Sequence, residues 1–274
     1  MRRLLPLAGA TGLLLLLAGC AAPPASAPPT RDTPPAGAVA DDQLGGAYPP
    51  ADSVGVVVRD RTSKPADGTY SICYVNAFQT QPGEQGAWPA NTLSTREGAP
   101  VIDPAWPDEV ILDTSTADRR AVIADTVAAW IRGCAASGFR AVEFDNLDTF
   151  TRSDGALTLD DNAALARELV DLAHASGLAA GQKNAAEHAS EFRKVAGFDF
   201  AVAEECAAFD ECGAYTEVYG DHVIDIEYTD QIPRSFAEMC ADAGTPASTI
   251  LRDRKLSTPD GAEYAFATCA APEG

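Results

Sequence analysis

From residue 54 onward, short apolar and β-branched runs alternate with longer stretches of helical period. Runs at 54–58, 70–75, 110–112, 139–144, 178–183, 198–203, 222–228 and 249–252 read as strands, the fifth weakened by its alanines and glycine. Between them, Thr116 can cap a helix running to about residue 136. Val122, Ile123, Val127, Trp130 and Ile131 lie on its inner side, and Gly138 follows its end. A second helix opens at Asp160 or Asp161, sets Leu165, Leu169 and Leu172 at helical spacing, and stops at Gly177. Shorter helical patterns occupy 186–195, 207–218 and 233–243. This alternation predicts an α/β fold, a parallel sheet with helices outside, and eight strands suit a (β/α)8 TIM-like barrel. The first two strand connections lack a helical pattern, so the barrel is expected to be irregular there. An open doubly wound sheet is the alternative, but no GxGxxG follows a strand to give it a dinucleotide site.

The start of the chain follows another pattern. Arg2 and Arg3 precede an apolar stretch from Leu4 to Leu17, which leads into Leu17-Ala18-Gly19-Cys20. The stretch is short for a bilayer span and has the flanks of a signal peptide. The small residues before Cys20 resemble the lipobox of bacterial lipoproteins, which implies removal of 1–19 and lipidation of Cys20. An ordinary signal peptide with a chance cysteine is the other reading. Residues 20–50 are rich in Pro and Ala, show no apolar period and read as a disordered tether. The expected protein is therefore exported and lipid-anchored on the outer side of the bacterial cell membrane. It meets the membrane only through that lipid, and its single domain spans 51–274 and acts as a monomer.

Cysteine usage agrees with export. Beyond Cys20 lie Cys73, Cys134, Cys206, Cys212, Cys240 and Cys269, an even set that suggests disulfides. Cys206 and Cys212 are close enough to staple one loop, and Cys240 with Cys269 can tie the C-terminal tail to the preceding helix. That leaves Cys73 with Cys134, although sequence alone leaves the pairing open. No CxxC occurs and there are three histidines, so no metal site is expected. The formal net charge is −20. Such a surface repels nucleic acid and anionic lipid and attracts a cationic partner; solubility alone is the plainer explanation.

The strand ends carry the candidate chemistry. They close on Tyr74-Val75-Asn76, Asp113-Thr114-Ser115, Glu143-Phe144-Asp145-Asn146-Leu147-Asp148, Gln182-Lys183-Asn184, Glu204-Glu205, Glu227-Tyr228 and Arg252-Asp253. A barrel gathers these ends at one rim, where barrel enzymes keep their active sites. On the fourth strand Ala141, Glu143 and Asp145 share one face, and Val142 with Phe144 the other. Helices cover the outside, so the apolar pair faces them and the carboxylates point into the mouth. On the sixth, Phe200, Val202 and Glu204 share a face. Crowded carboxyl groups push their pKa values apart, which suits glycoside hydrolysis: one acid for the leaving oxygen, one carboxylate as nucleophile or base. An ion-pair network with Lys183 and Arg252, or a calcium site from Asp145, Asn146 and Asp148, are the alternatives, though the segment is no EF-hand loop. No GxSxG occurs. His174 falls in a helix tail, His188 at a helix start and His222 at a strand start, so a nucleophilic triad is not expected.

Taken in order, Gly138-Phe139 with 142–148, Gly181-Gln182-Lys183-Asn184, residues 198–206 with Glu211-Cys212, and Ile226-Glu227-Tyr228 resemble the endo-α-1,4-polygalactosaminidase family, glycoside hydrolase family 114. Tyr74-Val75-Asn76 also matches its second strand. The resemblance spans roughly 54–253. It implies a TIM-like barrel and endo-acting hydrolysis of α-1,4-linked galactosamine polymer, with Asp145 and Glu204 catalytic, no cofactor, and a disulfide between Cys206 and Cys212. Two departures bear on substrate identity. Ala203 and Glu205 stand where the family has Asn and Gln, and 59–70 is shorter than the helix-bearing segment of relatives. The implied substrate is a cationic amino-sugar polysaccharide, which an acidic cleft would concentrate. Glu143, Asp148, Glu205 and Glu227 are candidates for its ammonium groups, and Tyr74, Trp88 and Tyr228 for its sugar faces. Asn76, Asn146, Lys183 and Asn184 complete the expected substrate-binding set. An inactive carbohydrate-binding barrel and a structural envelope lipoprotein are the competing functions; the paired carboxylates favour the enzyme.

Overall fold

The computed structural model describes residues 31–269. Its main sheet runs β1 (Ala40–Asp42), β2 (Val56–Asp60), β3 (Tyr70–Asn76), β6 (Ala141–Asp145), β7 (Ala179–Lys183), β8 (Phe200–Glu204), β9 (Val223–Tyr228) and β10 (Ser248–Arg252), with neighbouring strands paired in parallel. A short hairpin, β4 (Thr95–Arg96) and β5 (Ala99–Pro100), lies in the long insertion after β3. β11 (Phe266–Thr268) pairs antiparallel with β10. Helices α1 (Ala117–Ser137), α2 (Leu159–Ala175), α3 (Ala189–Ala196), α4 (Cys212–Tyr219) and α5 (Phe236–Cys240) cover the outside. This is the expected (β/α)8 TIM-like barrel, nearly closed.

Period-two alternation sorts its side chains into two cores. Val56, Val58, Ile72, Ala141, Phe200, Val202, Ile224 and Ile250 fill the barrel. The opposite faces, including Val75, Val142, Phe144, Ala201 and Ala203, pack beneath Ile123, Val127, Leu165, Leu169 and Phe192 of the helices. The weak sequence of β7 has a packing cause. A Cβ on Gly181 would lie 2.5 Å from Phe200 Cζ, so the absent side chain makes room for that ring. The helices end as their punctuation suggests. Thr116 Oγ1 accepts the Arg119 amide, Gly138 closes α1 at φ 99°, and Thr158 with Asp161 forms a capping box on α2.

Two strand assignments are corrected. The run at 110–112 is no barrel strand: it makes single antiparallel bridges to Gln79, Leu93 and Ile102 within the insertion above the rim. The missing barrel strand is β1, inside the stretch read as tether. Residues ahead of it are also tied down, since Tyr70 donates its hydroxyl to the Asp32 carbonyl and Arg140 pairs with Asp32 beneath the strand starts. The folded unit therefore begins well before residue 51. β1 escapes a hydropathy reading because Ala-Asp-Asp looks solvent-exposed. Its charges are buried because distant partners meet them: Arg252 for Asp41 at 2.8 Å and Lys183 for Asp42 at 4.0 Å. Helices are missing between β1 and β2 and between β2 and β3. The sequence predicts the second of these, whereas the chain leaving β3, expected to lack a helix as well, carries the insertion and then α1 before β6.

Arg252 bridges the seam between β10 and β1. It donates to Asp41 Oδ1 and the Asp42 carbonyl on one side and to the Ala265 and Ser257 carbonyls on the other. Three disulfides join Cys73 to Cys134, Cys206 to Cys212 and Cys240 to Cys269. They link β3 to α1, hold the loop after β8, and fix the tail to α5. Such bonds fit an oxidising compartment. Cys20 and its lipobox lie outside the described residues. Among the described residues, no helix is long and apolar enough to cross a membrane.

Candidate active site

Three strands end in the same way. Asn146, Asn184 and Glu205, each one residue past the end of β6, β7 and β8, adopt positive φ of 65°, 58° and 62°. Left-handed backbone turns the chain outward and leaves the preceding side chain, Asp145, Lys183 or Glu204, aimed into the mouth. Asn tolerates this conformation; for Glu205 it costs about 1–2 kcal/mol. Arg254 answers with an ion pair to Glu205 at 2.8 Å, fixing that turn.

Both central carboxylates are half-buried and held by a tyrosine and an asparagine. Asp145 Oδ2 accepts the Tyr74 hydroxyl at 2.8 Å, and Oδ1 accepts the Asn146 amide at 2.7 Å. Glu204 Oε2 accepts Asn184 Nδ2 at 2.6 Å, and Oε1 accepts the Tyr228 hydroxyl. Asn184 Oδ1 in return accepts the Glu204 amide at 2.9 Å. Burial, with the neighbouring carboxylates, pushes both tyrosines well above the ordinary phenol value, so they remain donors.

Beneath the pair sits Lys183, with Nζ 3.4 Å from Glu143 Oε1 and 5.4 Å from the centre of the Tyr74 ring. Burial alone would lower its pKa, but Glu143, Glu204, Asp42 and Asp145 together hold it well above the ordinary lysine value. Lys183 does not fully offset the effect of burial on the two deepest carboxyls. Burial pushes Glu143 up to about 8 and Asp42 up to about 6, against the pull of Lys183. The central pair splits. Burial, opposed by Lys183 and assisted by the Glu204 charge, raises Asp145. For Glu204 burial also acts upward, but Lys183 and the Tyr228 and Asn184 hydrogen bonds outweigh it and the pKa falls. Two half-buried carboxyl groups on one rim, each held by a tyrosine hydroxyl above a shared lysine, make a candidate acid/base pair.

A model of this family matches residues 21–271. The chain belongs to glycoside-hydrolase family GH114. It is a glycoside hydrolase. Among solved structures, this GH114 chain is similar to Ega3 of Aspergillus fumigatus in complex with galactosamine, at 22% identity and a TM-score of 0.70, covering 88% of this chain and 98% of that one. It is also similar to the glycoside hydrolase domain of PelA from Pseudomonas aeruginosa, at 17% identity and a TM-score of 0.54, covering 81% and 96%. The α-galactosidase of Thermus thermophilus follows at 16% and 0.50, covering 85% and 61%. At these identities the likeness shows the barrel fold. A comparison with curated protein sequences returns no match.

Other expected site residues of the GH114 chain are distributed around this centre. Asn76 is buried and donates to Glu109 Oε2 at 3.0 Å. Asp148 pairs with Arg152 at 2.7 Å, and Arg152 also reaches Asn146 Oδ1 and Asp103. Three residues are corrected. Glu143 is fully buried beneath the central pair with Lys183 Nζ at 3.4 Å, so it cannot meet a substrate ammonium. Glu227 lies on the opposite face of β9 from Tyr228, behind the barrel wall, where Oε1 accepts the Ala207 and Ala208 amides at 2.8 and 3.2 Å. Fully buried, it holds the loop after β8 and cannot meet an ammonium in the mouth. Trp88 is 5% exposed and packs edge-on against Trp130 in the outer core, away from any sugar face.

Asp42, Glu109, Arg152 and Arg254 are members of the site region that sequence reasoning missed. Asp42 comes from the segment read as tether, and Glu109 immediately precedes the run at 110–112 read as a barrel strand. Arg254, two residues past β10, could have been found by extending the strand-end rule past Asp253; its guanidinium lies 4.1 Å over the Tyr228 ring, anchoring the donor that serves Glu204.

Proposed function

We propose that this GH114 hydrolase cleaves α-1,4-linked galactosamine-containing polysaccharide internally, with Asp145 and Glu204 as its acid/base pair. The observation that carries the reading is geometric: Asp145 at the end of β6 and Glu204 at the end of β8 stand on one rim, each accepting a tyrosine hydroxyl and both within electrostatic reach of the same buried Lys183. One carboxyl group protonates the glycosidic oxygen as the C1–O bond breaks, and the other, ionised, meets the positive charge developing at C1. Water completes hydrolysis, delivering hydroxyl to C1 and returning the proton. Tyr74 and Tyr228 stabilise the ionised forms, and Lys183 holds the site's net charge within bounds.

Substrate class rests on charge and on the relative solved with galactosamine. A de-N-acetylated polymer is cationic near neutral pH, and a chain of net charge −20 draws it in. Anchoring through a lipid on Cys20, and action as a monomer outside the cell, complete the proposal.

The test incubates the soluble domain with α-1,4-galactosamine polymer and follows product size by chromatography. Internal cleavage gives a rapid fall in mean length with few monomers early on. Asp145→Asn and Glu204→Gln should each abolish shortening while retaining the wild-type circular dichroism spectrum. Full turnover in either variant removes that residue from its role, and binding without any cleavage by the wild type would point to the carbohydrate-binding reading instead.

A further inference from the structure

Trp106 is the tryptophan that the outer core does not claim. It is 55% exposed, at the apex of a turn in the insertion above the rim. The turn is stiff. Pro104 and Pro107 flank its apex, and Asp103 Oδ1 accepts the Ala105 amide at 2.8 Å. Its base is closed by Asp103 N to Glu109 O at 3.0 Å and Glu109 N to Trp106 O at 2.9 Å.

Both feet of the turn are tied to the catalytic rim. On one side Asp103 Oδ2 accepts Arg152 Nε at 2.7 Å, and the same guanidinium donates to Asn146 Oδ1 at 3.2 Å, next to Asp145. On the other, Glu109 accepts from Asn76 at the end of β3. The Asp145 charge helps to raise the Glu109 carboxyl, after burial, which places this foot within electrostatic reach of the site. A large exposed apolar ring on a stiff turn whose feet reach the acidic rim, with exposed Asp108 two residues on, has the parts of a sugar platform.

We propose that Trp106 and Asp108 form a distal subsite that takes one amino-sugar ring of the bound polymer, beyond the sugars at the cleaved bond. The indole lies against the ring's apolar C–H face, and its π-face and the Asp108 carboxylate receive the ammonium group. Rigid presentation lowers the ordering cost of binding. This inference rests on the substrate class proposed above and names where the chain runs on leaving the cleft.

The test compares kcat/KM on long α-1,4-galactosamine polymer with that on short oligomers able to fill only the positions beside Asp145 and Glu204. The polymer-to-oligomer ratio should fall roughly fivefold in Trp106→Ala, and by a smaller factor in Asp108→Asn. Trp106→Phe should recover most of it. Independently of folding in any variant, polymer should protect part of the wild-type tryptophan fluorescence from iodide quenching. An unchanged ratio in Trp106→Ala, or quenching that polymer does not alter, overturns the subsite. Failure of the wild type to shorten the polymer at all would instead overturn the substrate assignment.

Discussion

Asn184 binds Glu204 twice, donating Nδ2 to the carboxylate at 2.6 Å and accepting the Glu204 backbone amide on Oδ1 at 2.9 Å. The pair spans two strands, so the turn after β7 sets both the position and the charge of the carboxylate on β8. Asn184 also sits at φ 58°, where alanine would be strained and aspartate is tolerated. Asn184→Asp is therefore the informative variant. It keeps an acceptor for the amide but replaces the donor with a negative charge. Expected is a loss of kcat of roughly tenfold or more with little change in melting temperature. Steady-state kinetics beside thermal melting check it; wild-type kcat would show that the contact is idle.

The two tyrosines should act on different limbs of the pH profile. Tyr228 stabilises ionised Glu204, so Tyr228→Phe raises the Glu204 pKa and moves the acid limb of kcat/KM to higher pH. Tyr74 likewise lowers Asp145, so Tyr74→Phe lets Asp145 rise further and moves the alkaline limb upward. The limbs belong to the coupled pair, but the variants displace them separately. Kinetics across pH in each variant decide the matter. A common shift of both limbs in both variants would mean that the tyrosines act only through packing.

Much of this site is legible in the sequence because strand alternation is local. Ala141, Glu143 and Asp145 must share a face once the segment is a strand, and the apolar Val142 and Phe144 say which face is outside. The same rule separates Glu227 from Tyr228, adjacent residues that cannot both face the mouth; strand-end position alone puts them together. What stays hidden depends on partners far along the chain. Ala-Asp-Asp becomes a strand only because Arg252 and Lys183 receive its charges. The apolar run at 110–112 has strand composition yet is spent on an insertion, since hydropathy does not say which sheet a strand joins. Trp88 and Trp106 are similarly indistinguishable by composition, and their burial is decided by whether Trp130 stands opposite.

Glu227 shares its buried site with Asp225, whose carboxylate accepts the Cys206 amide and the Thr249 hydroxyl. Burial raises both carboxyls, Asp225 well above its ordinary value with the Glu227 charge adding to it. Carboxyls raised in the folded state favour folding at low pH, and that contribution is lost as pH climbs from about 4 through the folded values. Glu227→Gln supplies a permanent donor to Asp225 while keeping an acceptor for Ala207 and Ala208. Its melting temperature should therefore fall less than that of the wild type as pH rises. Glu227→Ala abandons those amides and should cost about 1–3 kcal/mol. Melting curves from acid to mildly alkaline pH test both; parallel curves for wild type and Glu227→Gln would mean that no proton is shared there.

Arg252 should be the side chain whose loss opens the barrel. Its guanidinium serves acceptors on both sides of the seam at once, a spread that one lysine ammonium cannot cover. Arg252→Met leaves Asp41 buried with Gln43 and Tyr48 as its remaining donors, and breaking such a pair costs about 3–5 kcal/mol. Because β1 is only three residues long, the loss should localise. Amide exchange at 40–42 should accelerate well beyond that of β6 or β8 under native conditions. Asp42 and its contact with Lys183 move with that strand, so activity should fall even where the barrel remains folded. The double variant Arg252→Met with Asp41→Leu removes both charges together and should recover a large part of the stability, though not the activity. If exchange at β1 rises no faster than in the rest of the barrel, the seam is held by the neighbouring strands, and the buried arginine serves chiefly to neutralise Asp41.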